Sequence, residues 1–336
     1  MQRQLAHTYS DIISVENLLL AWQEFADGKR AKRDVQQFSL HAIDSILALH
    51  NDLANKTYRH GSYWHFKISD PKPRDIHKSS VRDRLLHHAI YRILYPFFDK
   101  KFIADSYSCR LGKGTHKALD RFKIFARKVS RNQSRTCWAL KCDIRKFFAN
   151  IDHAILLRIL KRNIADEKIV ALLDNVLESF STTGKSGVGL PLGNLTSQLL
   201  VNIYMNEFDQ WVKHGLKAKY YIRYADDFVF LSHDRDWLGK LVSQIQQFLS
   251  ERLRLELHPD KLFLKTVASG VDFLGWVHFS DHRVLRTASK KRMIRRVTGH
   301  PTEGTIASYR GLLTHGNAYG LTSDHLRLPT EGSWTP

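Results

Sequence analysis

Two adjacent aspartates lie between two strand-forming runs, and this arrangement constrains the fold of the chain more than any other feature. Residues 220–224 and 228–231 consist mainly of aromatic and aliphatic side chains, and only Ala225, Asp226 and Asp227 separate them. Such runs around a short polar break predict a β-hairpin. Asp is common in turns, but a turn that served only solubility would not need such apolar arms. We therefore expect the acids to be held at the end of a buried ribbon.

The elements around this hairpin predict a specific sheet. A strand over 138–143 ends in Asp143, and a mostly helical stretch over 153–180 follows it. An amphipathic helix follows the hairpin from Trp237 to Leu249, and residues 262–267 are extended. The order β–α–β–β–α–β is the split βαβ arrangement, in which the two central strands are neighbours. We expect an α+β fold that places Asp143 close to the acids of the hairpin.

The charge balance indicates a polyanionic partner. The 336 residues include 52 Lys and Arg against 33 Asp and Glu, which gives a net charge of +19 and a pI near 9.8. A globular protein this basic binds nucleic acid or an anionic membrane surface. We expect no membrane partner, because no apolar run reaches about 18 residues and no signal-peptide core follows Met1. Three cysteines without paired spacing favour a reducing cytoplasm.

Three carboxylates in so basic a protein predict a metal site. Mg²⁺ favours few carboxylates, open positions for water and room for substrate phosphates. Without a cation, Asp143, Asp226 and Asp227 would repel one another. Two Mg²⁺ ions there could activate a hydroxyl nucleophile and stabilise a leaving pyrophosphate, and Mn²⁺ could substitute for them.

The residues around the acids resemble those of reverse transcriptases. Tyr224-Ala225-Asp226-Asp227 matches the YxDD box of that family. Other blocks follow the family's order over roughly residues 60–280. Val81–Ala89 and Ser106–His116 resemble the early fingers blocks, and Asp143–His153 resembles the first palm acid block. Gly189–Leu199 resembles the nucleotide pocket, and His258–Lys261 with Phe273–Trp276 resembles the last palm block and the primer grip. The resemblance implies a right-hand polymerase with fingers, palm and a small helical thumb.

The resemblance also implies roles for individual residues. Asp143 and Asp226, with the backbone carbonyl of Ile144, would hold the metal ions, and Asp227 would be the third acid. The nucleotide-binding residues would be Lys72, Arg74, Phe148, Leu192, Gly193, Gln198 and Lys261. The template–primer contacts would be Arg110, Phe273, Leu274, Gly275, Trp276, Arg283, Lys290, Lys291, Arg292, Arg295 and Arg296. The partners would be template RNA, a DNA or RNA primer and dNTPs.

Several of these roles have physical support in the sequence itself. Lys72 and Arg74 flank Pro73 on a loop that we expect to be extended, and a rigid cation pair suits a triphosphate. Phe148 follows Asp143 by five residues, where the family places a ring that clashes with a 2′-hydroxyl. Lys261 could act as a general acid on the departing pyrophosphate. The alternatives are a core ring for Phe148 and solvated surface cations for the basic residues.

Two departures from the common family pattern suggest a subtype. Group II intron and retroviral enzymes carry Gln before the glycine of the nucleotide pocket and Pro after its serine, but this chain has Leu192 and Gln198. This combination resembles the reverse transcriptases of diversity-generating retroelements, which implies frequent errors opposite template adenines and a basic accessory protein. We expect a cytoplasmic enzyme that is bacterial or phage-encoded.

The predicted domains are an N-terminal helical extension over 1–60, fingers over 61–135, a palm over 136–280 and a basic helical thumb over 281–336. Part of 155–200, within the palm range, is expected to contribute to the fingers. A retron or phage-defence reverse transcriptase is the alternative within the same chemistry, since Val297-Thr298-Gly299 is similar to a retron motif. An inactive RNA-binding protein on a polymerase scaffold is the alternative from another class.

Overall fold

The computed structural model describes residues 4–69, 73–299, 302–318 and 321. Within them the helices are α1 Tyr9–Ile13, α2 Val15–Ala26, α3 Arg33–Leu40, α4 Ala42–Ala54, α5 Val81–Asp99, α6 Thr115–Ser130, α7 His153–Asn163, α8 Glu167–Glu178, α9 Leu195–Gln210, α10 Arg235–Leu253, α11 Thr287–Gly299 and α12 Glu303–Leu313. The strands are β1 Trp64–Ile68, β2 Arg74–Lys78, β3 Trp138–Asp143, β4 Tyr221–Tyr224, β5 Asp227–Ser232, β6 Phe263–Thr266, β7 Val271–Phe273, β8 Trp276–His278 and β9 Arg283–Leu285.

These elements form two compact units. The first comprises Met1–Arg110, Ile144–Lys217 and Ser243–Pro259, as far as these segments are described. The second comprises Leu111–Asp143, Ala218–Val242 and the described part of Asp260–Pro336. The boundaries predicted for fingers, palm and thumb are a separate division of the chain and stay a prediction.

The first unit is mainly helical. α2, α4 and α5 bury apolar faces against one another, and Ser14 and Ser80 cap the first turns of α2 and α5 by accepting backbone N–H groups. The buried Asn17 side chain donates to the carbonyls of Ile12 and Ala89, so this polar group has partners inside the core. The antiparallel ribbon β1–β2 belongs to the same unit.

The four-stranded sheet of the second unit has the predicted topology. Its strands are antiparallel and lie in the order β4-β5-β3-β6. The two central strands are therefore the first and third of the β–α–β–β–α–β series, as the split βαβ arrangement requires. Ala139–Cys142 and Phe228–Leu231 are buried throughout, because these strands are covered on both faces.

The region after residue 270 differs in part from the prediction. β7, β8 and β9 form a separate three-stranded antiparallel sheet. We expected helix from residue 283, but Arg283–Leu285 is a strand and α11 begins at Thr287. The strand forms because Trp276 pairs with Leu285 in register, and both side chains are buried.

Arg74 is the first residue of β2 rather than part of an extended loop, and Lys72 lies outside the described residues.

Over 4–69, 73–299, 302–318 and 321, no helix combines the length and the apolar character needed to span a bilayer.

Candidate active site

A strained two-residue turn presents Asp226. Tyr224 pairs with Asp227 across β4 and β5, so only Ala225 and Asp226 form the turn. Ala225 has a φ of +56°, a region that glycine favours, and such strain persists only where the surroundings enforce it. The fully buried Arg223 contributes to this, because its Nη1 donates to the Ala225 carbonyl at 3.1 Å. Arg223 was not among the predicted site residues.

The sheet register brings the predicted acids together. Asp143, the last residue of β3, is the direct cross-strand partner of Asp227, the first residue of β5. The exposed fractions of their side chains are 14% and 19%, so both are reachable from solvent but largely enclosed. With Asp226 in the adjoining turn, three carboxylates lie at one edge of the sheet.

Two lysines oppose this negative charge. Lys261 Nζ donates to Asp143 Oδ1 at 2.9 Å, and Lys141 Nζ lies 3.2 Å from Asp227 Oδ1. Burial, with the added repulsion of Asp143 and Asp226, raises the pKa of Asp227 to about 7 even though Lys141 opposes the shift. Lys141 was missed in the sequence analysis. The strand period of two places it on the same face as Asp143, and this spacing could have identified it.

The acids suit a hard divalent cation. Asp227 Oδ1 is buried, and its contact with Lys141 is an ion pair without the alignment of a hydrogen bond, so the oxygen retains acceptor capacity. In the part of the chain that the structure describes, no three His, Cys, Asp or Glu side chains converge to enclose a metal by themselves. Two carboxylates completed by water and substrate phosphate oxygens match what Mg²⁺ requires.

Hydrogen bonds in the first unit join two of the predicted nucleotide-binding segments. The His77 N–H donates to the Leu192 carbonyl at 3.0 Å, and Asn194 Nδ2 donates to the His77 carbonyl at 3.1 Å. A Cβ at Gly193 would lie 3.1 Å from Ile76 Cγ2, and Gly193 has a φ of +112°. The close contact and the positive φ both favour glycine there. The strand β2, which begins at Arg74, is thus hydrogen-bonded to Leu192 and Asn194, on either side of Gly193.

The two adjacent phenylalanines, Phe147 and Phe148, differ in burial. Phe147 is buried, whereas Phe148 is half-buried and its carbonyl accepts from the Leu190 N–H at 2.8 Å. This bond ties Phe148 to the segment that continues to Leu192. Gln198 is half-buried in the first turn of α9, and Ile144 is buried and bridges to Leu257.

The Arg110 side chain is buried and is not accessible to a template. It is 6% exposed, and it donates to Asp99 Oδ1 and to the carbonyls of Asp99, Ile103 and Ser106. The guanidinium also lies over the Phe102 ring, 5.3 Å from its centroid. We therefore reinterpret Arg110 as a structural residue, because five donors in one plane suit such a network of acceptors.

The residues predicted for the primer grip fall into two classes. Phe273 and Trp276 are buried, so their rings belong to the core. Leu274 and Gly275 form the turn between β7 and β8, with φ of +52° and +86°, and both are partly exposed. The turn, and not its flanking aromatic rings, is the part that another molecule could contact.

The predicted thumb cations fall into two groups, one hydrogen-bonded within the second unit and the other on α11. Arg283 donates to Asp120 Oδ1 at 2.9 Å and to the His315 carbonyl, so it joins β9 to α6 and to the turn after α12. The remaining cations lie on α11, where four side chains are exposed and Arg292 is half-buried. The exposed cations are Lys290, Lys291, Arg295 and Arg296.

Comparisons with known proteins agree on one family. The family model described as reverse transcriptase (RNA-dependent DNA polymerase) matches residues 67–278. Protein YkfC of Escherichia coli K12 is 25% identical over 271 residues, which cover 70% of this chain and 69% of YkfC. The group II intron-encoded protein LtrA of Lactococcus lactis is 24% identical over 295 residues, 67% of this chain but only 47% of LtrA.

A solved structure supports the fold. Apo telomerase from Candida tropicalis, truncated from its C-terminal domain, aligns with a TM-score of 0.51 at 13% identity and covers 73% of this chain and 60% of the telomerase chain. The predicted α+β right-hand polymerase fold is confirmed. The family consists of nucleotidyltransferases that normally use divalent metals and bind template RNA and a nucleic acid primer. The chain belongs to the reverse transcriptase family, whose enzyme class is RNA-directed DNA polymerase.

Proposed function

We propose that the protein copies a template RNA into cDNA by adding dNTPs to a nucleic acid primer. The observation that carries this proposal is the register of β3 and β5, which sets Asp143 opposite Asp227 with Asp226 in the adjoining turn. Asp143 and Asp226 hold two Mg²⁺ ions together with the Ile144 carbonyl, and Asp227 is the third acid. When bound, the ions lower the pKa of the primer hydroxyl and neutralise charge on the triphosphate.

The chain's own residues bind and orient the nucleotide. Lys72 and Arg74 grip the triphosphate, and Phe148 excludes a 2′-hydroxyl. Leu192, Gly193 and Gln198 line the pocket of the nascent base pair. The hydrogen bonds from β2 to Leu192 and Asn194 support this placement.

Lys261 and the basic surface of α11 have different tasks. Lys261, which donates to Asp143, holds a proton that it can deliver to the departing pyrophosphate. The exposed cations of α11 bind the phosphates of the template–primer duplex, and the Leu274–Gly275 turn contacts the primer. In this proposal residues 61–135 act as fingers, 136–280 as palm and 281–336 as thumb.

The subtype that we propose is a diversity-generating retroelement enzyme. Leu192 stands where related enzymes carry an amide near the nascent base pair. A misaligned pair would leave that amide unpaired, so the leucine removes a penalty against misaligned pairs. We infer frequent errors opposite template adenines and a basic accessory protein that helps to hold the RNA. A cytoplasmic location in a bacterium, or in a cell infected by the phage that encodes it, belongs to this proposal. A retron or phage-defence enzyme would share the chemistry without the adenine bias.

Primer extension on a defined RNA template tests the activity. We expect the unmodified protein to incorporate dNTPs with Mg²⁺, and Asp226→Asn to abolish synthesis by at least about 10³-fold while RNA affinity changes little. Asp236→Asn, which alters an exposed acid on α10, serves as the matched control and should remain active. RNA binding without any incorporation by the unmodified protein would favour the inactive scaffold instead. Sequencing the cDNA tests the subtype, since errors spread evenly over all four template bases would contradict it.

A further inference from the structure

A chain of hydrogen bonds in the first unit runs from the surface to α9, and the proposed mechanism does not use it. His60 Nε2 lies 3.1 Å from His87 Nε2, and His87 Nδ1 lies 3.0 Å from Thr196 Oγ1. His60 is half-buried, whereas His87 and Thr196 are 1% and 2% exposed. Thr196 lies in the first turn of α9, two residues before Gln198. These three side chains, the histidine relay, thus connect a solvent-accessible imidazole to the segment that we assign to the nucleotide pocket.

The partners of the two imidazoles fix which nitrogen carries each proton. His60 Nδ1 lies 2.7 Å from the Gly61 carbonyl, which can only accept, so neutral His60 has its proton on Nδ1 and its lone pair on Nε2. His87 Nε2 must therefore donate to His60. Burial lowers the pKa of His87 to about 3, so its imidazole is neutral and its Nδ1 accepts from the Thr196 hydroxyl. Every donor in the histidine relay points from Thr196 towards His60.

Tyr63 offers His60 a second partner only when His60 is charged. Ser179 Oγ donates to the Val176 carbonyl at 2.6 Å, so the 2.8 Å hydrogen bond between Tyr63 and Ser179 uses the tyrosine proton. Tyr63 Oη lies 3.4 Å from His60 Nε2 and can therefore only accept from it. The two rings are stacked with their centroids 4.9 Å apart, a separation at which a tyrosine ring attracts a cation.

A proton on His60 Nε2 is incompatible with this order of bonds, because it would face the Nε2–H of His87 across 3.1 Å. Either this bond breaks and His60 turns to Tyr63, or all donors reverse and His87 donates to Thr196. In the second case the buried Thr196 hydroxyl loses its acceptor, since the described residues provide no other hydrogen-bond partner for it. Both outcomes weaken the attachment of the first turn of α9.

The charged groups of α5 keep the proton off His87. The buried Asp83 carboxylate is already hydrogen-bonded, and its donors are the Tyr58 and Ser80 hydroxyls and the Gly61 N–H. Its charge favours a proton on His87, but burial and the charges of His60, His88 and Arg84 oppose one. A proton that enters the histidine relay at mildly acidic pH therefore binds His60, since histidine is the side chain that titrates in this range.

The groups that face His60 from the remaining elements are uncharged. Tyr63, just before β1, is a neutral phenol, because burial raises its pKa to about 12. Ser179 at the end of α8 and Thr196 on α9 are hydroxyl groups. Arg59 precedes His60 in the chain, but its Nη1 donates to the Tyr58 carbonyl at 3.2 Å.

We propose that His87 positions the first turn of α9 for nucleotide binding, and that protonation of His60 weakens this positioning, so that dNTP affinity falls as the pH decreases. The inference rests on the proposed function for the identity of the nucleotide. The first turn of α9 carries Gln198, whose N–H donates to the Asn194 carbonyl at 3.4 Å. A looser first turn therefore changes the segment on both sides of Thr196.

Primer extension at about pH 8 and about pH 5.5 tests the proposal through the KM for dNTP. The change His60→Gln supplies an amide oxygen that accepts from His87 at either pH, so it keeps the bond and removes the titration. Between the two pH values we expect the KM of the unmodified protein to rise about fivefold more than that of His60→Gln. Protonation of the triphosphate affects both proteins equally and cancels. His41→Gln, at an exposed position of the first unit, is the control and should match the unmodified protein.

The hydroxyl of Thr196 gives an independent measurement. Thr196→Val keeps the volume and removes the donor to His87, so KM at pH 8 should rise about fivefold with little change in kcat. Thr196→Ser retains the hydroxyl and should keep the KM of the unmodified protein. Equal KM values for the Val and Ser variants would contradict a role of this hydrogen bond.

Nitrogen-15 NMR of the full chain with labelled histidines locates the protons without any catalysis, and His60→Gln and His87→Gln assign the signals. At pH 8 we expect His60 to be protonated on Nδ1 and His87 on Nε2. A proton on His87 Nδ1, or a pH dependence of KM in His60→Gln equal to that of the unmodified protein, would overturn the inference. A protein that has the expected tautomers but incorporates no dNTP at either pH would refute the proposed function instead.

Discussion

Asp143 and Asp227 lie directly opposite each other in the antiparallel pair β3–β5, and each has a lysine ammonium within 3.2 Å. Lys261 contacts the first and Lys141 the second. The two lysines differ in their surroundings, because the Lys141 side chain is 10% exposed and the Lys261 side chain 39%. Lys141 is therefore part of the folded core, whereas Lys261 is free to change partners.

Replacing Lys141 with Met should destabilise the fold. Because the pKa of Asp227 is about 7, its carboxyl is ionised above about pH 8. In that range the change leaves a buried carboxylate without its counter-charge, and breaking a buried pair in this way costs roughly 3 kcal/mol. Urea unfolding measures the loss, and the double variant Lys141→Met with Asp227→Asn should recover part of it. Lys161→Met, on an exposed position of α7, is the control. An unfolding free energy equal to that of the control would show that the pair contributes nothing.

Replacing Arg110 with Lys should lower stability and leave template affinity unchanged. Lysine cannot reproduce the planar set of donors that Arg110 directs at Asp99 and at three backbone carbonyls, so we expect a loss of roughly 2 kcal/mol. Denaturant unfolding and RNA binding below the transition separate the two effects. Arg295→Lys, on the exposed face of α11, is the matched control. A specific loss of RNA affinity without a loss of stability would restore Arg110 to the template contacts.

Acid should destabilise the protein through buried histidines. Burial, with the nearby His60 charge, lowers the pKa of His87 to about 3 from its ordinary value of 6.5. The unfolded chain therefore binds a proton near pH 6.5 while the folded chain stays neutral at this site until about pH 3. Stability is highest above pH 6.5 and falls by up to ~1.4 kcal/mol per pH unit for such a residue as the pH drops through this window.

The variant His87→Gln removes this titration, so its unfolding free energy should fall less between pH 7.5 and 5 than that of the unmodified protein. His278 and His88, whose pKa values burial also lowers, keep part of the dependence. His233→Gln, at an exposed position, should leave the slope unchanged. An unchanged slope in His87→Gln as well would refute the assignment.

Removing exposed cations from α11 should reduce the salt dependence of duplex binding. Each phosphate contact contributes about 0.9 to the slope of log K against log salt. The triple change of Lys290, Lys291 and Arg295 to Gln should therefore reduce the slope by roughly 2 to 3. The same change at Lys161, Lys168 and Lys217, which are exposed in the first unit, controls for net charge. Equal slopes for the two triple variants would place the duplex elsewhere.

Replacing Leu192 with Gln should raise fidelity at template adenines. The new amide is left unpaired by misaligned base pairs, which penalises them, and we expect errors at adenines to fall severalfold. Sequencing of cDNA from one RNA template measures the spectrum. Leu192→Met keeps the site apolar and should behave as the unmodified protein does. An identical spectrum in Leu192→Gln would disprove the explanation.

Much of the architecture was predictable because it depends on local patterns. The apolar arms around Asp226 and Asp227 predicted the hairpin, and the element order predicted a sheet with β3 and β5 at its centre. Arg283 was misassigned because a basic run is compatible with a helix, while the strand there forms only by pairing with β8. Arg223 was missed because the sequence does not show which cations become buried, whereas the spacing of Lys141 from Asp143 could have identified that lysine.

The sequence by itself determined the order of the elements around the hairpin, the three acids and the family to which the chain belongs, since all of these are carried by residues that are neighbours along the chain. Only the tertiary structure decided which cations oppose the acids and which arginines turn inward. These features depend on register and burial, and both arise when distant segments such as Trp138–Asp143 and Asp227–Ser232 pair in one sheet.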